Sequence, residues 1–112
     1  MNIIKMQKKI CEEYGSDFVS VFPNEKLGIS INVKEKVRPL NGMRVMPGKD
    51  TCGWYIWAGE YLEDKDFFVP LHVNHLIKWE PLLLPYLGLA PGWRFLITEE
   101  YKDVWEDKEN II

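Results

Sequence analysis

The chain has little of what most metal and nucleophile sites are built from: two cysteines, Cys11 and Cys52, and two histidines, His72 and His75, in 112 residues. Two thiols do not make the disulfide framework of a small secreted domain. No Cys-x-x-Cys, no His-Glu-x-x-His, no Gly-x-Ser-x-Gly and no phosphate-cradling glycine loop before a helix occurs. Long apolar runs are also missing. The longest uncharged stretch, Pro81 to Trp93, is 13 residues and holds three prolines, short of the ~20 apolar residues a bilayer-crossing helix needs. Met1 to Tyr14 alternates apolar and charged residues and has no continuous apolar core of a secretory signal, so a cytoplasmic location with reduced thiols is expected. Positive charge is not in excess either. Fourteen Lys and Arg against 17 Asp and Glu leave a net charge of −3, whereas nucleic-acid binders carry a basic footprint. Neither a membrane nor a nucleic-acid partner is expected.

What the chain does have is bulk. It is 46% hydrophobic and carries five each of Trp, Tyr and Phe, which excludes disorder and supplies one core. Residues 1–112 fit a single domain. Charge is unevenly spread: residues 1–60 hold 9 basic and 7 acidic residues, and residues 61–112 hold 5 and 10. Lys34, Lys36, Arg38, Arg44 and Lys49 cluster against Glu35 alone. Glu99, Glu100, Asp103, Glu106, Asp107 and Glu109 crowd the tail. An acidic face draws in a basic partner, and the basic stretch suits an acidic one. The competing explanation for both is a solvated surface.

Ile3, Met6, Ile10 and Tyr14 recur at helical spacing, and Gly15 stands where a C-cap belongs. Phe18 to Phe22 is a short strand or a packed loop. Leu27, Ile29, Ile31 and Val33 alternate with polar or small residues and predict a strand. Asn41-Gly42 predicts a turn, and Pro39 before it predicts an edge strand or none. Trp54 to Trp57 is apolar on both faces, as in a central strand, with a polar loop from Glu60 to Asp66 after it. Leu71, Val73, Leu76 and Ile77 suggest a helix that Pro81 ends, and Pro81 opens a second short helical piece. Trp93, Phe95 and Ile97 form one face of a strand, with Tyr101 to Trp105 returning as its hairpin partner. The expected fold is α+β: a mainly antiparallel sheet with an N-terminal helix and a central Pro-interrupted helix packed on it.

His72 and His75, three apart, could supply two metal ligands, with Cys52, Asp64 or Asp66 as further donors. Cys52 with a histidine could form a nucleophile and base. A small metal- or thiol-dependent enzyme, or a ligand-binding regulatory module, around His72, His75 and Cys52 is therefore one class of function. The bland alternatives are helix-start packing for the histidines and a small buried hydrophobe for the thiol. Trp54 and Trp57 point to opposite faces of one strand, so either a helix covers the second face or Trp57 is partly exposed among Glu60, Asp64 and Asp66. An exposed Trp ringed by charge is what a protein–protein hot spot looks like. Arg94, between Trp93 and Phe95, reads as a stacked or paired structural cation.

Three blocks carry a resemblance: Gly53-Trp54-Tyr55-Ile56-Trp57-Ala58-Gly59-Glu60, Asp66-Phe67-Phe68-Val69-Pro70-Leu71-His72-Val73-Asn74-His75-Leu76, and Leu84-Pro85-Tyr86-Leu87-Gly88-Leu89-Ala90-Pro91-Gly92-Trp93-Arg94-Phe95-Leu96-Ile97. With Tyr101-Lys102-Asp103-Val104-Trp105 they resemble the bacterial family of immunity protein thirty-three, over about residues 20–106. These are small cytoplasmic proteins linked to polymorphic and contact-dependent toxin systems. The resemblance implies a binding protein rather than an enzyme, one that holds a cognate toxin and covers its active site or an essential surface. It implies no cofactor and brings no catalytic residues. On the physical reading, the candidate partner-binding residues are Trp57, Glu60, Asp64 and Asp66 in one patch and Glu99, Glu100 and Asp103 in a second.

Overall fold

The computed structural model describes residues 2–111. A six-stranded sheet carries one layer of helices, the expected α+β arrangement. Strands β1 (Lys26–Ser30), β2 (Leu40–Arg44), β3 (Thr51–Ala58), β4 (Phe68–His72), β5 (Trp93–Ile97) and β6 (Lys102–Glu106) lie in the order β4-β1-β3-β2-β5-β6. Only β1 and β3 run parallel; every other neighbouring pair is antiparallel.

Helix α1 (Ile3–Tyr14) starts where the Asn2 side chain accepts from Lys5 N–H, and ends at Gly15 in the left-handed conformation. Its fully buried positions are Gln7 and Cys11. Gln7 donates from Nε2 to the Leu84 carbonyl at 2.9 Å, and Cys11 Sγ donates to the Gly88 carbonyl at 3.3 Å. These bonds seat α1 on the 3₁₀ segment Pro81–Tyr86. Pro81 opens that segment, after helix α2 (Leu76–Trp79). Between sheet and helices, Trp54, Tyr86 and Phe95 stack with centroids 5.3 Å apart in each pair with Phe95.

Several local expectations are corrected. The alternation from Leu27 stops at Ser30, and Ile31–Glu35 forms a 3₁₀ turn that exposes Ile31 and buries Val33. Asn41-Gly42 is no turn but the middle of β2, an interior strand despite Pro39. Gly42 is needed there because a β-carbon would run into the Phe95 ring. Residues Phe68–His72 form an edge strand, and the helical run begins only at Val73. Phe18 to Phe22 is a packed loop holding one bridge, from Phe18 to Leu89.

The basic stretch is not a free cationic face. Arg44 is 1% exposed in the core. It donates to the carbonyls of Cys52 (2.8 Å), Val19 (2.7 Å) and Leu89 (2.9 Å), with longer bonds to Leu87 and Ser20. Arg38 and Lys36 both bind Glu80. Lys34 lies over the Trp79 ring at 4.4 Å.

Candidate functional site

Directly paired strand residues share a face, so the registers identify what the sheet presents away from its helices. One row crosses all six strands: Pro70, Gly28, Tyr55, Met43, Arg94, Trp105. The next holds Phe68 and Ser30 on one side and Trp57, Asn41, Leu96 and Asp103 on the other. This second face is apolar in the middle. The edge of the Tyr55 ring closes over Gly28, where a β-carbon would sit 2.9 Å from it. Arg94 spreads over Trp105 at 5.5 Å and reaches Asp107 at 3.3 Å, the structural role expected of it.

Trp54 and Trp57 do face opposite sides, but Trp57 is not the exposed anchor. It is 6% exposed, and what covers it is neither a helix nor the acidic residues. The loop that leaves β3 folds back over it: Tyr61 and Phe68 pack on the indole at 5.4 and 6.1 Å, and Phe67 joins them. The exposed apolar residues of this loop are instead Tyr61 (49%) and Leu62 (54%). Around them stand Glu60, Glu63, Asp64 and Asp66, all exposed, against one basic residue, Lys65. The Asp64 carboxylate accepts the Asp66 N–H at 2.9 Å and closes the turn that holds the group together.

Strand directions place both candidate patches at one end of the sheet. The end of β3, the start of β2 and the end of β5 lie side by side, with Leu40 paired to both Ala58 and Ile97. The 59–67 loop starts two strand spacings, about 10 Å, from where the Thr98–Tyr101 turn leaves β5, and runs from there toward β4. Glu100 and Asp103 are exposed there. Glu99 differs: Arg38 clasps it with Nε at 2.9 Å and Nη2 at 2.6 Å. The same guanidinium donates to the buried Glu80 at 2.9 Å, so Arg38 clamps the hairpin turn to the end of α2. The Arg38 hydrogen bonds hold the Glu99 carboxyl down at about 2, from an ordinary 4.5. A carboxyl held low in the fold stabilises it above its unfolded value and loses that contribution as pH falls through its folded value. The stability gap between the parent and Glu99→Gln is expected to be constant above pH 4.5 and to close between 4.5 and 2. Urea midpoints across that range check it, and a gap that ignores pH would be inconsistent with the clamp.

The histidine and cysteine candidates do not assemble. His72 and His75 are exposed, with ring centroids 6.1 Å apart. Among the described residues no three His, Cys, Asp or Glu side chains are placed to hold a metal ion. Cys52 is sealed in the core, and burial pushes its thiol up and away from the reactive thiolate. A hollow of about 460 Å³ does open on the second sheet face, between Lys26, Gly28, Met46, Gly53, Tyr55 and Pro70. None of His72, His75 and Cys52 lines it. No helix among the described residues is long and apolar enough to cross a membrane.

The Imm33-like domain matches residues 6–107, nearly the whole chain. The chain belongs to the Imm33-like domain family. The match takes in most of α1 as well as the whole sheet, and so extends further toward the N-terminus than the resemblance from residue 20 onward. No curated protein and no solved structure matches the chain. The Imm33-like fold here thus brings an immunity-family label, and with it a toxin partner in general, to a molecule whose site has to be read from its own side chains.

Proposed function

We propose that this protein is a bacterial, cytoplasmic immunity protein that binds a cognate toxin and neutralises it by covering its active site or a surface it needs. The family supports a binding role rather than catalysis. The observation that carries the choice of surface is the 60–66 loop, where exposed Tyr61 and Leu62 stand among four carboxylates on a rigid aromatic base. Aromatic and aliphatic anchors with a charged rim supply affinity and orientation together. Glu100 and Asp103, at the same end of the sheet on the β5–β6 side, add negative charge there. The complementary surface is a basic one, and negative charge at the rim speeds its arrival. Glu99 contributes by holding the turn through Arg38 rather than by presenting a free carboxylate.

Capture on the tagged chain from its native host, with mass spectrometry of what co-elutes, tests the reading. A stoichiometric partner carrying a toxin domain is the expected result. Elution of the chain alone, with the toxin locus expressed, would remove the toxin partner from the account.

A further inference from the structure

The two edges of the sheet are unlike. On β4 the middle residue is Pro70, which has no N–H to offer. On β6, Lys102–Glu106, there is no proline and no bulge, and among the described residues no strand lies outside it. Hydrogen bonds at its two ends fix which backbone groups point outward. Thr98 N–H donates to the Tyr101 carbonyl at 2.8 Å, and Asp107 N–H donates to the Gly92 carbonyl at 2.6 Å. Residues 101 and 107 therefore face β5, and by the antiparallel alternation so do 103 and 105. Lys102, Val104 and Glu106 turn their N–H and C=O groups to the open edge.

The geometry points to a second copy of this chain as the occupant of that edge, with β6 pairing antiparallel to β6 of the partner about a two-fold axis at Val104. In that register Val104 meets Val104, and Lys102 meets Glu106 of the partner subunit, twice. Every pair uses outward-facing groups on both strands, so the backbone match is complete, with about six hydrogen bonds in all. Side chains of Lys102 and Glu106 lie on one face of the sheet, opposite Ile97 and Trp93, so the crossed pairs set opposite charges directly across from each other. Sliding the strands to centre on Trp105 keeps only the two Val104–Glu106 pairs within the strands, since Lys102 would fall opposite Lys108, a like charge already in the 3₁₀ turn Lys108–Ile111. A centre on Asp103 would set Glu106 opposite Glu100, a like charge that lies in the hairpin turn outside β6. Strand length and charge together thus select the Val104 register, in a strand whose centre lacks the lysine that usually guards a free edge.

Two strands of five residues bury less than a permanent interface needs, so the dimer is a concentration-dependent one. Sedimentation equilibrium of the full chain is expected to show a mass that rises toward two chains with concentration. Glu106→Lys, exposed in the monomer, sets lysine against lysine and is expected to weaken the dimer on the order of tenfold or more. Lys102→Glu does the same with carboxylates, and an equimolar mixture of the two variants restores both crossed pairs and the dimer. Val104→Pro removes an outward N–H together with a buried valine side chain and leaves the donors and acceptors of the β5–β6 ladder in place, so that variant is expected to be monomeric, and its circular dichroism spectrum shows whether it has kept the fold. Lys102 also binds Glu13 at 2.9 Å and Val104 is buried, so Glu106→Lys decides the matter if either of the other variants folds poorly. A parent chain that sediments as one chain at every concentration, or a Glu106→Lys variant that dimerises like the parent, overturns the pairing.

Discussion

Arg44→Met is expected to unfold roughly 15 °C below the parent, a loss of about 3–5 kcal/mol. Two effects oppose each other. Removing a buried guanidinium relieves its desolvation, and burial already presses its proton affinity down. Exchanging a buried ion pair for a hydrophobe is often neutral for that reason. Here, however, the acceptors are not a carboxylate that can leave with its partner. They are backbone carbonyls of Cys52, Val19 and Leu89, with Leu87 and Ser20 at longer range, and they stay buried whatever occupies position 44. Each orphaned carbonyl costs on the order of 1–3 kcal/mol, so the loss of acceptor pairing outweighs the relief. Arg44→Lys keeps the charge but cannot fork to both sides, and its loss is expected to fall between the parent and the methionine variant. Thermal melts measure this. A methionine variant melting within 3 °C or so of the parent would mean that these carbonyls find other donors.

The second large effect concerns recognition. The variant Glu60→Lys/Asp64→Asn/Asp66→Lys reverses the sign of the loop, while the asparagine amide introduced in place of Asp64 keeps an oxygen to accept the residue 66 N–H that closes the turn. All three positions are exposed, so the melting temperature is expected to stay within a few degrees of the parent. Affinity for the toxin is expected to fall on the order of 100-fold, mostly through slower association, with the deficit shrinking as salt rises. Tyr61→Ala is its counterpart. It removes a half-exposed ring that also packs on Trp57, so it is expected to raise the dissociation rate with little dependence on salt. Surface plasmon resonance at two ionic strengths separates the two. Unchanged binding by both variants would move the contact surface elsewhere.

Much of the fold can be read from short-range pattern. The α1 helix and the Trp93–Trp105 hairpin follow from periodicity with a glycine or proline stop at the right place, and the two-faced apolar run Trp54 to Trp57 marks the central strand, which starts three residues earlier, at Thr51. The misreadings come from partners far along the chain. The strand from Leu27 ends early because the Ser30 hydroxyl takes the Ala58 N–H at 3.2 Å and the Asn32 amide donates to the Ala58 carbonyl at 2.9 Å. Those side chains replace ladder bonds and turn the backbone into a 3₁₀ segment. Asn41-Gly42 carries a turn signature, but the glycine serves the Phe95 ring on the next strand. Pro70 hides β4, and it fits there because that strand is an edge.

The same holds for the site. That the acidic loop and the acidic hairpin turn share one end of the sheet depends on strand order, which no local spacing encodes. Alternation places Trp57 on the second face correctly. Its cover comes from Tyr61, Phe67 and Phe68, and a run of aromatics that close to an acidic loop is the available signal that the loop folds back. Glu99 reads as free in the sequence because Arg38 is 61 positions away. Arg44, grouped with surface cations by its neighbours in sequence, is recognisable only once Leu87 and Leu89 are seen beneath β2.

The most direct test of the central claim is a protection assay in cells that express the toxin recovered by capture on this chain. Co-expression of the parent chain is expected to restore growth, and the Glu60→Lys/Asp64→Asn/Asp66→Lys variant, folded and present at the same level, is expected to fail. Growth that stays suppressed with the parent chain abundant and folded would contradict the immunity reading itself.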